Sequence, residues 1–172
     1  MRFNFFTALA SVFFLELAVA NVANATYILS GLGTLGGKGI IANGINNKGL
    51  VVGHGNISAL PNGFQPTHGF RTNGSAIADL GTLGGMHSIA RDINEKGQIV
   101  GQSNPADNIY MHAALWNGTT ITDLGTLGGM HSAAYGINNA GQIVGVSVLG
   151  GDTSWHAVLW DGIDLLPNLV RK

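Results

Sequence analysis

From residue 26 onward, apolar positions fall in short alternating or β-branched runs, and no stretch keeps the 3.6-residue spacing of an amphipathic helix. The runs are punctuated by turn residues at fixed places. Ile45-Asn-Asn-Lys-Gly49, Ile93-Asn-Glu-Lys-Gly97 and Ile137-Asn-Asn-Ala-Gly141 each predict a hairpin turn. Asn46, Asn94 and Asn138 open a type I turn through their side chains, and Gly49, Gly97 and Gly141 supply the positive φ that follows. A β-branched strand comes next, as Leu50-Val-Val-Gly, Gln98-Ile-Val-Gly and Gln142-Ile-Val-Gly. A further strand is expected in His112-Ala-Ala-Leu-Trp116, His156-Ala-Val-Leu-Trp160 and His68-Gly-Phe-Arg71, followed by hairpin signals at Asn117-Gly118, Asp161-Gly162 and Asn73-Gly74. Thr119-Thr-Ile-Thr-Asp-Leu124 reads as a fourth strand.

These elements recur as a threefold repeat. Leu32, Leu80 and Leu124 open equivalent Leu-Gly-Thr-Leu-Gly-Gly segments 48 and 44 residues apart, and the Ile of each Ile-Asn pair lies 13 positions further on. The expected units are about 32–79, 80–123 and 124–166. Four short antiparallel strands per unit of this size predict an all-β fold with a propeller-like partial ring or open array, a closed β-trefoil-like fold being the alternative. Thr26-Tyr-Ile-Leu-Ser30 and Ile163-Asp-Leu-Leu-Pro-Asn-Leu169 read as the same strand at both ends of the array. Trp116 and Trp160 are expected in the core. Exposed terminal strands make a homodimer through strand edges an expectation.

Residues 1–25 have the pattern of a secretory signal peptide. Arg2 gives a positive start, Phe5 to Val19 is largely apolar, and Ala23-Asn24-Ala25 has the small-x-small form of a cleavage site, with Ala18-Val19-Ala20 as a second. Removal would leave only Phe64 and Phe70 of the seven Phe residues, in a β-repeat domain of residues 26–172. The expected location is secreted, extracellular or periplasmic, with no membrane association after signal removal. Absence of cysteine suits that route and excludes disulfide frameworks, thiolate zinc sites and cysteine nucleophiles. A net charge of −1 gives no basic footprint for nucleic acid.

Three pieces of these units resemble a known family: His-Ala-x-Leu-Trp, Asp-Leu-Gly-Thr-Leu-Gly-Gly-x-x-Ser-x-Ala and Ile-Asn-x-x-Gly-Gln-Ile-Val-Gly. They are similar to the units of the bacterial extracellular HAF repeat proteins, named for a His-Ala-Phe step, over roughly residues 27–166. The resemblance implies a secreted bacterial protein with a propeller-like fold, and it brings no catalytic residues. The chain departs from the naming step at His112-Ala-Ala, His156-Ala-Val and His68-Gly-Phe.

Candidate chemistry is sparse. Gly31-Leu-Gly-Thr-Leu-Gly36 has the GxGxxG spacing but no helix to follow it, and Gly36-Gly-Lys38-Gly39 lacks the Ser or Thr of a phosphate loop, so no nucleotide or other cofactor is expected. The glycines of these segments are expected to make tight strand-to-strand connections that let neighbouring units approach. His87 and His131 share one repeat position, His112 and His156 another; a ring-to-backbone hydrogen bond holding a loop is expected of them, and no metal. Asp79 and Asp123 are expected to cap turns. Trp155 breaks the repeat beside Tyr110 and Met111, so Trp155, Tyr110, His87 and His131 are the candidate ligand-binding residues. The function expected is that of a secreted, non-enzymatic binding or scaffold module for an extracellular glycan or protein. The rival expectation is a hydrolase whose site is built from His54, Asp107, Asp152 and His156.

Overall fold

The computed structural model describes residues 18–22, 25–107, 109–151 and 153–162; the expected closing strand at 163–169, Asp152 and most of the expected signal segment lie outside them. The described residues contain thirteen strands and no helix. The chain divides into two compact units, Met1–Gly31 and Leu32–Lys172. In the first, β1 (Ala18–Val22) pairs antiparallel with β2 (Ala25–Leu29), so the expected first strand of the array has its partner inside the segment expected to be cleaved.

The second unit holds three open antiparallel sheets. Sheet I is β3 (Gly36–Ile45), β4 (Val51–Ile57), β5 (Thr67–Thr72) and β6 (Ile77–Asp79). Sheet II is β7 (Gly84–Ile93), β8 (Ile99–Pro105), β9 (His112–Asn117) and β10 (Thr120–Asp123). Sheet III is β11 (Gly128–Ile137), β12 (Ile143–Leu149) and β13 (Trp155–Trp160). Strands follow one another across each sheet in chain order.

Equivalent residues pair in equivalent register. Ala42 faces Gly53, Ala90 faces Gly101 and Ala134 faces Gly145, and each sheet has a bulge immediately afterwards, leaving Asn43, Arg91 and Tyr135 as the extra residue. The glycine opposite the bulge is required by close approach: a methyl added at Gly53, Gly101 or Gly145 would run into the carbonyl oxygen of Ile41, Ile89 or Ala133 on the paired strand. Among the glycines of the Leu-Gly-Thr-Leu-Gly-Gly segments, Gly81 and Gly125 lie in the connections between sheets, at φ of 68° and 72°, whereas Gly36, Gly84 and Gly128 each open the first strand of their own sheet, at φ of 93°, 106° and 92°. The Asn-Gly hairpin also sits one residue later than its signal suggests. Asn117 is already paired with Thr120, so Gly118 and Thr119 form the two-residue loop, with Gly118 supplying the positive φ that its first position demands.

Packing is face to face. β7 lies against β3, β4 and β5, and β11 lies against β7, β8 and β9. Between sheets I and II, Val52 meets Ala90, Ile93, Ile99, Ala114 and Trp116. Between sheets II and III, Val100, Ala113 and Leu115 meet Ala134 and Ile143, with Ile137 and Trp160 against them. Because side chains alternate along a strand, Ile99 and Val100 serve opposite interfaces from adjacent positions. That is why β8 reads as a continuous apolar step and not as an alternating one.

The Asn turns join the sheets as well as closing their own hairpins. Asn46 Oδ1 accepts from Lys48 N and Leu50 N, while its Nδ2 donates to Asn94 O across 3.0 Å. Asn94 repeats the arrangement, accepting from Lys96 N and Gln98 N and donating to Asn138 O at 3.1 Å. Beside them, Asn47 N donates to Glu95 Oε1 and Glu95 N to Asn139 Oδ1, at 2.8 and 2.9 Å.

Candidate functional site

The four candidate ligand-binding residues fall into two groups. Tyr110, in the β8–β9 connection, sets its ring edge-on to His131 of β11 at 4.6 Å between centroids. His131 in turn lies 5.8 Å from the Trp155 ring at the start of β13. Trp155 is 56% exposed, so most of an indole is offered to solvent beside a phenol and an imidazole. The assembly takes one residue from the loop of sheet II and two from sheet III, and the aromatic edges and faces hold each other by about 0.5–1.5 kcal/mol per pair. Sequence equivalence explains its position. Trp155 occupies the place of Thr67 and Met111, immediately before the His of the third strand, so a flat ring replaces a smaller side chain at the same rim.

His87 belongs elsewhere. Its Nδ1 accepts from Thr67 N at 3.1 Å, and the exposed Phe64 ring stands edge-on to it at 5.7 Å. Accepting at Nδ1 requires that nitrogen to be unprotonated. Burial, and next the positive field of His68, lower the His87 pKa from 6.5. His54, which faces Asn43 Nδ2 at 3.0 Å, is lowered by burial and then by Arg91. Both groups hold a proton less readily folded than unfolded. Their contribution is therefore intact above about pH 6.5 and is lost as the pH falls below it. The melting temperature should drop between pH 7 and pH 5. The drop should shrink in the His87→Asn variant, and thermal unfolding followed by circular dichroism across that range checks it.

His112 corrects an expectation. Instead of a backbone partner, its Nδ1 faces Asp123 Oδ2 at 2.8 Å, and in the preceding unit His68 Nδ1 likewise faces Asp79 Oδ2 at 2.7 Å. The other carboxylate oxygen of each Asp accepts from Gly81 N or Gly125 N, capping the turn into the next sheet. Ser88 and Ser132, which are buried, donate to the carbonyls of the same glycines and accept from Gly69 N and Ala113 N of the preceding sheet. These hydroxyl protons are committed to backbone carbonyls, and the histidine Nδ1 atoms face carboxylates, so the set latches a crossover loop. A signal for the pairs was present in the sequence: His and Asp stand 11 positions apart in both copies, whereas Pro167 stands at that offset from His156.

The residues of the expected hydrolytic site are distributed over three sheets. His54 lies on β4, Asp107 follows β8 and accepts from Ile109 N, and His156 lies on β13; Asp152 is outside the described residues. Among the described residues no group of three or more His, Asp or Glu side chains forms. A cleft of 370 Å³ between sheets I and II is lined by Arg71, Asp79, Trp116 and Ile121. Trp116 Nε1 has no hydrogen-bond partner there, whereas Trp160 Nε1 donates to Leu124 O at 3.0 Å.

The chain matches no protein-family model, no curated protein and no solved structure.

Proposed function

We propose that this chain is a secreted, non-enzymatic binding module for an extracellular glycan, with Tyr110, His131 and Trp155 as its contact surface. The observation that carries the reading is the half-exposed Trp155 ring flanked by His131 and, through it, Tyr110. A sugar presents an apolar C–H face and a hydroxylated rim; an exposed indole takes the first, and imidazole and phenol groups can hydrogen-bond the second. The remaining polar side chains support the same reading, because the His–Asp pairs, the buried Ser hydroxyls and the Asn amides are all engaged in holding turns and sheets.

In this reading residues 1–25 direct export and are removed, and the three sheets are blades of a propeller-like array of the HAF repeat type. Equivalent bulges, equivalent registers and face-to-face packing support the blade reading. Cleavage after Ala25 would remove β1 and leave β2 without the partner it has in the full chain.

A glycan array probed with the full chain tests the proposal, followed by titration of the best oligosaccharide against tryptophan fluorescence. Trp155→Ala should weaken binding about fivefold or more, the loss of one stacking contact of about 1–3 kcal/mol, with the melting temperature lowered only by the lost contact to His131. An array without hits, or a Trp155→Ala variant that binds as the parent does, would count against it.

A further inference from the structure

The two outer faces of the three-sheet unit carry the same residues that its two internal interfaces bury. On the far face of sheet III, Val144 and Leu159 are 52% and 58% exposed, whereas their equivalents in sheet II, Val100 and Leu115, are 0% and 7%. On the near face of sheet I, Ile45 is 67% exposed, and its equivalent in sheet II, Ile93, is 4%.

The polar ladder is interrupted at the same two faces. Asn94 O and Asn138 O each accept twice, from the glycine of their own turn and from the amide of the preceding sheet. Among the described residues, Asn46 O accepts only from Gly49 N. At the other end, Asn138 Nδ2 donates among the described residues to Gln142 Oε1 alone, while Asn94 Nδ2 reaches both Gln98 Oε1 and the next turn. The glutamate–asparagine rung can also be continued. Glu95 N donates to Asn139 Oδ1, and the residue equivalent to Asn139 on sheet I is again an asparagine, Asn47.

We infer that the far face of sheet III binds the near face of sheet I of a second copy of this chain. Val144 and Leu159 would cover the second copy's Ile45, Asn138 Nδ2 would donate to its Asn46 O, and Asn139 N to its Asn47 Oδ1. The contact differs from edge-strand pairing because it stacks sheet faces and uses two different surfaces, one from each copy. It is therefore heterologous, and copies joined this way either close into a ring or extend. None of these residues belongs to the Tyr110, His131 and Trp155 group, so the two surfaces are separate.

Sedimentation of the full chain over a wide concentration range tests this inference. The parent should pass from single chains to larger species as concentration rises. Ile45→Asp and Val144→Asp should each stay as single chains, with melting temperatures unchanged because both positions are exposed. An equimolar mixture of the two variants should restore association but stop at two copies, since each variant keeps one intact face. Asn139→Pro is a further check: proline suits the second position of a type I turn and deletes the N–H assigned to the second copy, together with the Oδ1 that accepts from Glu95 N within the chain. It should weaken association severalfold without loss of folding. A parent that remains a single chain throughout would overturn the inference. So would variants that associate as the parent does, or a mixture that fails to pair.

Discussion

Trp116→Ala is expected to destabilise the chain by about 3–5 kcal/mol, the range for removing a large aromatic side chain from a packed interior. Trp116 is 2% exposed and packs among Ile93, Ile99 and Ala114 of its own sheet and Val52 of sheet I, so its removal opens the interface between two sheets at once. Trp116→Phe should cost far less. It keeps a ring in place and deletes an indole N–H that has no acceptor in the described structure, which removes an unfavourable group along with some packing. Chemical denaturation of the three proteins checks both values. An alanine variant within about 1 kcal/mol of the parent would mean that sheets I and II are not packed as described.

Asn94→Ala is the second large effect, about 3 kcal/mol, whereas Asn138→Ala should cost only about 1 kcal/mol. The two residues are chemically identical and sit at the same turn position. The difference is location: Asn94 is 3% exposed and makes four hydrogen bonds, one of them to the next sheet, while Asn138 is exposed and makes three within its own hairpin. Asn94→Asp separates the roles, because the carboxylate keeps the bonds accepted from Lys96 N and Gln98 N and loses the donations to Gln98 Oε1 and Asn138 O. An intermediate loss is expected. Equal effects of alanine at 94 and 138 in thermal and denaturant unfolding would contradict the turn-to-turn ladder.

Much of this architecture was legible in the sequence, and the parts that were not have identifiable reasons. Asn46, Asn94 and Asn138 with their trailing glycines marked the hairpins because an Asx turn is a local device, complete within five residues. The same residues gave no hint of the bonds to the neighbouring sheet, since a free amide hydrogen looks the same whether its partner is water or the next turn. Adjacent β-branched positions such as Ile99 and Val100 marked a strand, yet its burial on both faces and the assignment of each residue to a particular interface needed the stacking order. Gly101 had no role assigned to it from the sequence: a methyl there would run into Ile89 O beside the bulge of the paired strand, and a bulge leaves no mark in the sequence other than the glycine itself.

The candidate site was half legible. Trp155 stood out because it breaks the repeat, and Tyr110 was noticed beside it; both meet at His131. His87 was grouped with His131 by repeat position, but equivalence of backbone does not carry equivalence of surroundings. The loop before β5 brings Phe64 to His87, while the connections after β8 and β12 bring Tyr110 and Trp155 to His131. The His–Asp pairs required seeing two repeats of one spacing, 11 residues, and a third copy in which it fails.

The measurement that bears most directly on the stacked three-sheet arrangement is a methyl nuclear Overhauser spectrum of the labelled chain. Val52 should show contacts to Ile93 and Ile99, and Val100 the corresponding contacts to Ile137 and Ile143. Both sets present together would bear the arrangement out; one set missing, or Val52 found against Ile143, would contradict it.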